Sequence, residues 1–124
     1  MNALQIEGTA KTPQVSFSPE GQLEISGRSI PENSVEFYQP LYDWLDRYAE
    51  AAPASTSVKI GLEYFNTSSS KCLLDVFRKL ENLHKSEKSA VNVTWTYEED
   101  DEDMMEAGDD YRTLVLLPFE VTKK

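Results

Sequence analysis

The sequence predicts an α+β fold, a mixed sheet of about five or six strands with helices packed mainly on one face. Apolar and polar residues alternate with period two in the strand segments, which indicates a sheet with one buried and one solvated face. Stretches with helical periodicity separate the later strand segments. A doubly wound sheet, which is covered on both faces, would instead show continuous runs of Val, Ile and Leu.

The amino-terminal part of the chain predicts a hairpin. Alternating apolar residues at 15–17 and 23–25 lie on either side of residues 18–21, which read Ser-Pro-Glu-Gly. Proline and glycine in that position are typical of a turn between two strands. Residues 4–6 predict a weaker edge strand before the hairpin.

The first helix is predicted to follow Asn33. This residue, with Glu36 three positions later, is typical of a helix start. Pro40 removes a backbone hydrogen bond in an early turn, so we expect a kink or a late start there. The apolar residues of this segment have the spacing of one continuous helical stripe; they are Phe37, Leu41, Trp44, Leu45 and Tyr48.

The second half of the chain alternates strands and helices. Strands are predicted over residues 58–64 and 91–97, with a helix over about residues 69–85 between them. Strand–helix–strand units imply parallel pairing through right-handed crossovers. The residues of this helix that are expected to face the core are Leu73, Val76, Phe77, Leu80 and Leu83.

The carboxyl-terminal part predicts a short acidic helix and a last strand. The helix is expected over about residues 98–109, with an interruption at Gly108, since acidic residues in a first turn are favoured by the helix dipole. Alternating apolar residues from Val115 to Val121 predict the strand. The chain shows no internal repeat or linker, so we expect a single domain over residues 1–124.

The composition argues against several classes of partner. The formal net charge is −10, and nucleic acid and anionic membrane surfaces are bound by clustered Lys and Arg. No apolar run approaches the ~20 residues of a membrane span, and the amino terminus lacks a signal-peptide pattern. The lone Cys72 suits a reducing compartment. We therefore expect a cytoplasmic protein that binds neither nucleic acid nor membrane.

No motif in the sequence predicts catalysis, a metal or a cofactor. The sequence has one histidine, His84, and no nucleophile-elbow motif that could supply a serine beside it. Phosphate-binding loops, dinucleotide-binding loops and zinc patterns are also absent. The acidic run from Glu98 to Asp103 lacks the ligand spacing of a calcium loop. We expect a protein that is not an enzyme and that needs no cofactor or metal.

Four consecutive hydroxyl residues, 67–70, open the helix that follows the strand at 58–64. One interpretation is a helix cap, for which one or two hydroxyls suffice. The other is a phosphorylation switch at Thr67. Loops beyond the carboxyl ends of parallel strands carry functional sites, and the free N–H groups of a helix start stabilise phosphate. Lys71, one turn later, would partly neutralise such a group. The residues alone leave both interpretations open.

Several short segments together carry a family resemblance that covers nearly the whole chain. The Pro-Glu-Asn-Ser and Asn-Thr-Ser-Ser segments are specific in combination. The matching segments are Ile6–Thr9, Thr12–Pro13, Pro31–Ser34, Trp44, Tyr64–Ser69 with Lys71, and Pro118–Phe119. With them the chain resembles the SiaC family of bacterial regulatory phosphoproteins, whose fold is like that of STAS (anti-sigma-factor-antagonist) domains.

The resemblance implies a phosphorylation cycle centred on Thr67. A serine/threonine kinase would modify this residue and a metal-dependent phosphatase would restore it. The unmodified form would bind and activate a diguanylate cyclase, which raises cyclic di-GMP and favours biofilm or aggregation. Ser70 stands where the family usually has an apolar residue, so Ser68, Ser69 and Ser70 are alternative acceptors. The residues expected to contact partners are Asn66, Thr67, Ser68, Ser69 and Lys71.

Two other functions are alternatives to this hypothesis. The first is an anti-sigma-factor antagonist in a partner-switching cascade, as in true STAS proteins; recovery of an anti-sigma kinase without a cyclase would favour it. The second is an enzyme with a serine nucleophile, which the absence of a paired base in the sequence argues against.

Overall fold

The computed structural model describes residues 1–124 and contains six strands and three helices. None of the helices is both long enough and apolar enough to cross a membrane. In chain order the elements are β1 (Leu4–Ile6), β2 (Gln14–Ser18), β3 (Gln22–Ser29), α1 (Ser34–Tyr48), β4 (Ser55–Phe65), α2 (Thr67–Lys85), β5 (Ala90–Tyr97), α3 (Glu102–Leu114) and β6 (Phe119–Lys123).

All six strands form one mixed sheet whose spatial order is the chain order, from β1 to β6. The strands β1, β2 and β3 pair antiparallel, and residues 18–21 form the predicted turn between β2 and β3. The pairs β3–β4, β4–β5 and β5–β6 are parallel. The predicted mixed α+β fold is thereby confirmed, including the weak edge strand at residues 4–6.

The core lies between the sheet and the three helices. Val58, Ile60 and Leu62 of β4 are buried, whereas Lys59 between them is exposed. The 25 buried hydrophobic residues form one cluster, and it includes the five residues of α2 that were predicted to face the core. Because alternate strand residues enter this cluster and the others are polar, the helices cover one face of the sheet, as predicted.

The first helix begins earlier than the proline suggested. Asn33 Oδ1 accepts a hydrogen bond from the Glu36 backbone N–H at 3.1 Å, and the helix starts at Ser34. Pro40 lies inside the helix at an exposed position, where water can satisfy the carbonyl that has lost its donor. Of the two expectations for Pro40, the late start is therefore wrong, and the kink stays a prediction. Tyr38 is fully buried, whereas Phe37 of the predicted stripe is only half-buried.

The third helix begins and ends later than predicted. Asp101 Oδ1 accepts the Met104 backbone N–H at 3.0 Å, so the helix starts after Asp101 and not at Glu98. The predicted interruption at Gly108 is wrong, because the helix continues through it. A methyl group on Gly108 would lie 2.5 Å from Cδ1 of Trp95, so the glycine allows the helix to approach the buried indole.

The last strand begins at Phe119 and not at Val115. Val115 and Leu117 are buried, and Leu116 between them is exposed, so burial alternates as it would in a strand. The Leu116 backbone N–H, however, donates to Glu81 Oε2 of α2 at 2.6 Å and not to a neighbouring strand. The alternation thus comes from a loop that is held against α2.

Candidate functional site

The hydroxyl cluster lies at the edge of the sheet where β3 and β4 end. The strand β4 ends at Phe65, and α2 starts at Thr67, two residues before the predicted start. Asn66 caps the helix, because its Oδ1 accepts the Ser69 backbone N–H at 2.9 Å. The Asn66 N–H in turn donates to the Ser29 carbonyl at 3.0 Å. These two bonds fix the start of α2 against the end of β3.

Ser69 is fully buried and belongs to a chain of hydroxyl groups. Its Oγ donates to the Ser29 carbonyl at 3.0 Å and accepts from Ser29 Oγ at 2.8 Å. Because Ser29 Oγ has only one proton, the Tyr38 hydroxyl must be the donor in the 2.7 Å contact with Ser29. Burial raises the pKa of Tyr38 to about 12, which keeps this phenol protonated. Ser69 is thus withdrawn from solvent.

Ser70 and Ser68 are also engaged, each with a different helix. The Tyr111 hydroxyl of α3 donates to the Ser70 carbonyl at 2.7 Å and lies 3.1 Å from Ser70 Oγ. Ser68 Oγ donates to Asn66 Oδ1 at 3.2 Å and lies 2.6 Å from Ser34 Oγ of α1. The start of α2 is therefore joined to α1 through Ser68 and to α3 through Ser70.

Thr67 differs from the three serines that follow it. Its side chain is exposed, and its hydroxyl makes no hydrogen bond to any other residue. The first turn of α2 contains no acidic residue, so nothing acidic within that turn opposes a phosphate there. Lys71 is exposed one turn later and makes no ion pair. A phosphoryl group could be added to Thr67 without breaking a protein hydrogen bond.

The structure therefore brings the six predicted site residues, 66–71, together at one end of α2. Which of them accepts phosphate and which contacts a partner stays a prediction. Sequence reasoning missed the residues that hold the serines in place. Ser34 lies in the Pro-Glu-Asn-Ser segment and could have been suspected. Ser29, Tyr38 and Tyr111 have no local signal, because their role depends on packing between distant segments.

His84 and Cys72, the two residues of α2 with side chains that often take part in catalysis, both have structural positions. His84 lies 17 residues beyond Thr67 on α2, about 25 Å away at the helical rise. Its Nδ1 accepts the Val91 backbone N–H at 3.1 Å, which gives the ring a structural role. Cys72 is buried in the core, and no group of three or more His, Cys, Asp or Glu side chains is placed to hold a metal ion.

Comparison with known proteins points to one family. The profile of the SiaC family regulatory phosphoproteins matches residues 6–124. An uncharacterised protein of Pseudomonas aeruginosa strain UCBPP-PA14 is 31% identical over 122 residues, which are 98% of this chain and 96% of that protein. Apo-SiaC from P. aeruginosa has a TM-score of 0.89 at 31% identity, and the match covers 98% of this chain and 99% of that one. SiaC from the same organism, in complex with the diguanylate cyclase SiaD that it activates, has a TM-score of 0.91 at 30% identity, with the same coverage.

Proposed function

Because this chain belongs to the SiaC family of regulatory phosphoproteins, we propose that it is an adaptor controlled by phosphorylation at Thr67. Its unphosphorylated form binds and activates a diguanylate cyclase. A serine/threonine kinase ends that binding by modifying Thr67, and a metal-dependent phosphatase restores it. The likeness to SiaC in complex with SiaD supports a cyclase as the partner.

The single observation that carries this proposal is the free hydroxyl of Thr67. Thr67 and Ser68 are both exposed, but of the four consecutive hydroxyls only that of Thr67 has no hydrogen-bond partner. A kinase must bring the acceptor oxygen into line with a nucleotide phosphate, which requires an accessible side chain. Ser69 would have to leave the core first, and Ser68 and Ser70 would have to give up bonds to other helices. This difference favours Thr67 over the alternative acceptors.

Phosphorylation would change the surface and leave the fold intact. A phosphothreonine carries about −1.5 to −2 charges and three acceptor oxygens. At the first residue of α2 it lies beside free backbone N–H groups and one turn from Lys71, both of which stabilise an anion. The added charge and bulk would alter the docking surface, while the serine bonds beneath it remain.

Phosphopeptide mapping tests the acceptor. The purified chain is incubated with the cognate kinase and ATP, beside Thr67→Ala and, as the matched control, Ser68→Ala. We expect phosphate on residue 67 in the wild type and in Ser68→Ala, and none in Thr67→Ala. Modification of Thr67→Ala to the wild-type extent, at any residue outside 67, would overturn the assignment.

A pull-down with unmodified and phosphorylated protein tests the output. Mass spectrometry of the retained proteins is expected to find a diguanylate cyclase with the unmodified form only. Addition of the unmodified chain to that purified cyclase should raise the rate of cyclic di-GMP synthesis. Retention of an anti-sigma kinase without a cyclase would instead support the anti-sigma-factor antagonist.

A further inference from the structure

The helix α2 differs in charge from the rest of the chain. It contains four Lys and Arg residues and two carboxylates, which give it a net charge of +2. Counted in the same way, α1 has a net charge of −2 and α3 of −4, and the whole chain has −10. A positive helix therefore lies between two negative ones, and it is the helix that begins with Thr67.

Three of the cations of α2 form one line on its exposed side. Lys71, Arg78 and Lys85 are spaced seven residues apart, so they lie on one face of the helix, two turns from one to the next. Their side chains are exposed: Arg78 and Lys85 form ion pairs with the buried Glu81 at 3.2 and 3.8 Å, yet 45% and 52% of their side chains stay accessible. The one exposed carboxylate of α2 beside the line is that of Asp75, between Lys71 and Arg78. Thr67 lies four residues before Lys71 and therefore stands at the head of this line. We call these three residues the α2 ridge.

Apolar side chains lie beside the ridge on the side of α3. Leu114 and Leu116 are 52% and 68% exposed, and they are two of only five large apolar side chains with such exposure. Their backbone is held on α2, because Arg78 Nη1 donates to the Leu114 carbonyl at 3.1 Å and Glu81 Oε2 accepts the Leu116 N–H at 2.6 Å. The end of α3 and the loop after it thus present two leucines to solvent on a backbone that is fixed in advance, which lowers the entropic cost of binding.

We propose that the α2 ridge, with Leu114 and Leu116, is the docking face for the protein partner, and that the partner's surface carries carboxylates beside apolar side chains. This inference rests on the proposed function and adds the location and the chemistry of the contact. Charge complementarity decides the occupant, since a cationic line on an otherwise acidic protein attracts an acidic surface and repels a basic one.

The same geometry accounts for how a phosphate would end the contact. At about −1.5 to −2 charges, phosphate on Thr67 would bring the net charge of α2 from +2 to near zero. Lys71 lies about 6 Å further along the helix, within the Debye length of ~8 Å at physiological salt. Lys85 lies about 27 Å away and would be screened from the phosphate. The phosphate therefore acts on the Lys71 end of the ridge.

Calorimetric titration with the purified diguanylate cyclase tests the docking face. The ridge variant is Lys71→Gln with Lys85→Gln. The matched control is Lys11→Gln with Lys59→Gln, which removes two exposed lysines that are not on α2. At 0.15 M salt we expect the ridge variant to raise Kd at least about tenfold and the control to stay within about twofold. Raising the salt concentration should weaken binding of the wild type more than binding of the ridge variant.

A third variant, Leu116→Ser, tests the apolar part of the face. Leu116 is exposed, so the substitution should leave the thermal unfolding temperature unchanged and should raise Kd at least about fivefold. If the cyclase binds the wild type while the ridge variant and Leu116→Ser both bind as tightly, the docking face is overturned and the proposed function stands. If the cyclase does not bind the wild type, both the proposed function and the docking face are overturned.

Discussion

The side-chain oxygens of Ser34 and Ser68 lie 2.6 Å apart and join the first turns of α1 and α2. The neighbours of Thr67 on the helix are thereby held by other segments, while Thr67 itself is free. An exposed acceptor on a fixed helix start can be modified without local unfolding, and its modification can be read by a partner that binds the same edge.

Replacement of Ser34 by alanine should weaken the junction of the two helices slightly. Ser68 keeps its bond to Asn66 and gains water, so we expect a loss of about 0.5–1 kcal/mol in the free energy of unfolding. Urea denaturation measures this loss. The control is Val35→Ala, which changes the neighbouring exposed side chain and should stay within about 0.5 kcal/mol. A loss above about 3 kcal/mol from Ser34→Ala would contradict this expectation, because it would mean that Asn66 and water do not replace the bond that Ser68 loses.

Thr67→Asp should reproduce only part of the effect of phosphorylation. One carboxylate carries one negative charge and two oxygens, whereas phosphate carries about −1.5 to −2 charges and three acceptor oxygens. We expect the Kd for the cyclase to rise less with Thr67→Asp than with phosphorylated Thr67. Titration calorimetry compares the two forms, with Thr67→Asn as the uncharged control. Equal loss of binding by both forms would contradict this expectation.

Gly108→Ala should destabilise the protein through the core. The added methyl group would lie 2.5 Å from Cδ1 and 2.8 Å from Nε1 of the fully buried Trp95. Either α3 or the indole must move, which costs about 1–3 kcal/mol in an overpacked core. Thermal and urea unfolding measure the loss, and Glu106→Ala serves as the control at an exposed position of the same helix. Unchanged stability of Gly108→Ala would show that the helix can shift freely.

Glu81 should make the stability of the fold depend on acid pH. The hydrogen bond from the Leu116 N–H, together with Lys85 and Arg78, holds the pKa of this carboxyl below its ordinary value of 4.5. Its stabilisation is therefore fully present above the pKa of the unfolded chain and is lost as the pH falls through the folded pKa. The free energy of unfolding of the wild type should fall on acidification from pH 5 to pH 3 more than that of Glu81→Gln. Parallel curves for the two proteins would contradict this.

Much of the fold could be predicted because local pattern and tertiary packing agree. Period-two alternation identified the strands from β2 to β5, and the apolar spacing of α2 identified its buried side. The sequence was misleading where a distant residue decides the conformation. In the sequence Gly108 indicates a helix interruption, whereas in the structure it allows α3 to pack closely on the Trp95 indole. Val115 to Leu117 alternate like a strand, but Glu81 takes the N–H that a strand would share.

The position of the candidate site could be predicted from the sequence, but not which of its four hydroxyl groups is free. Four hydroxyls in a row predict a special helix start, and each of them is chemically able to accept phosphate. What separates them is the bonding of the serines to Ser29, Ser34 and Tyr111, which come from three other segments. No local pattern encodes these contacts, so the free state of Thr67 is visible only in three dimensions.

The sequential order of the strands has a consequence for how the chain assembles. Since each new strand adds at the outer edge of the sheet, no strand has to be inserted between two earlier ones. The antiparallel pairs β1–β2 and β2–β3 join segments that are close in the chain, whereas each parallel pair closes a longer loop that contains a helix. The partners that hold Ser68 and Ser69 all precede them in the chain. The bonds that hold Ser68 and Ser69 thus involve no residue of α3 or β6, whereas the bonds between Ser70 and Tyr111 form only after α3 has been synthesised.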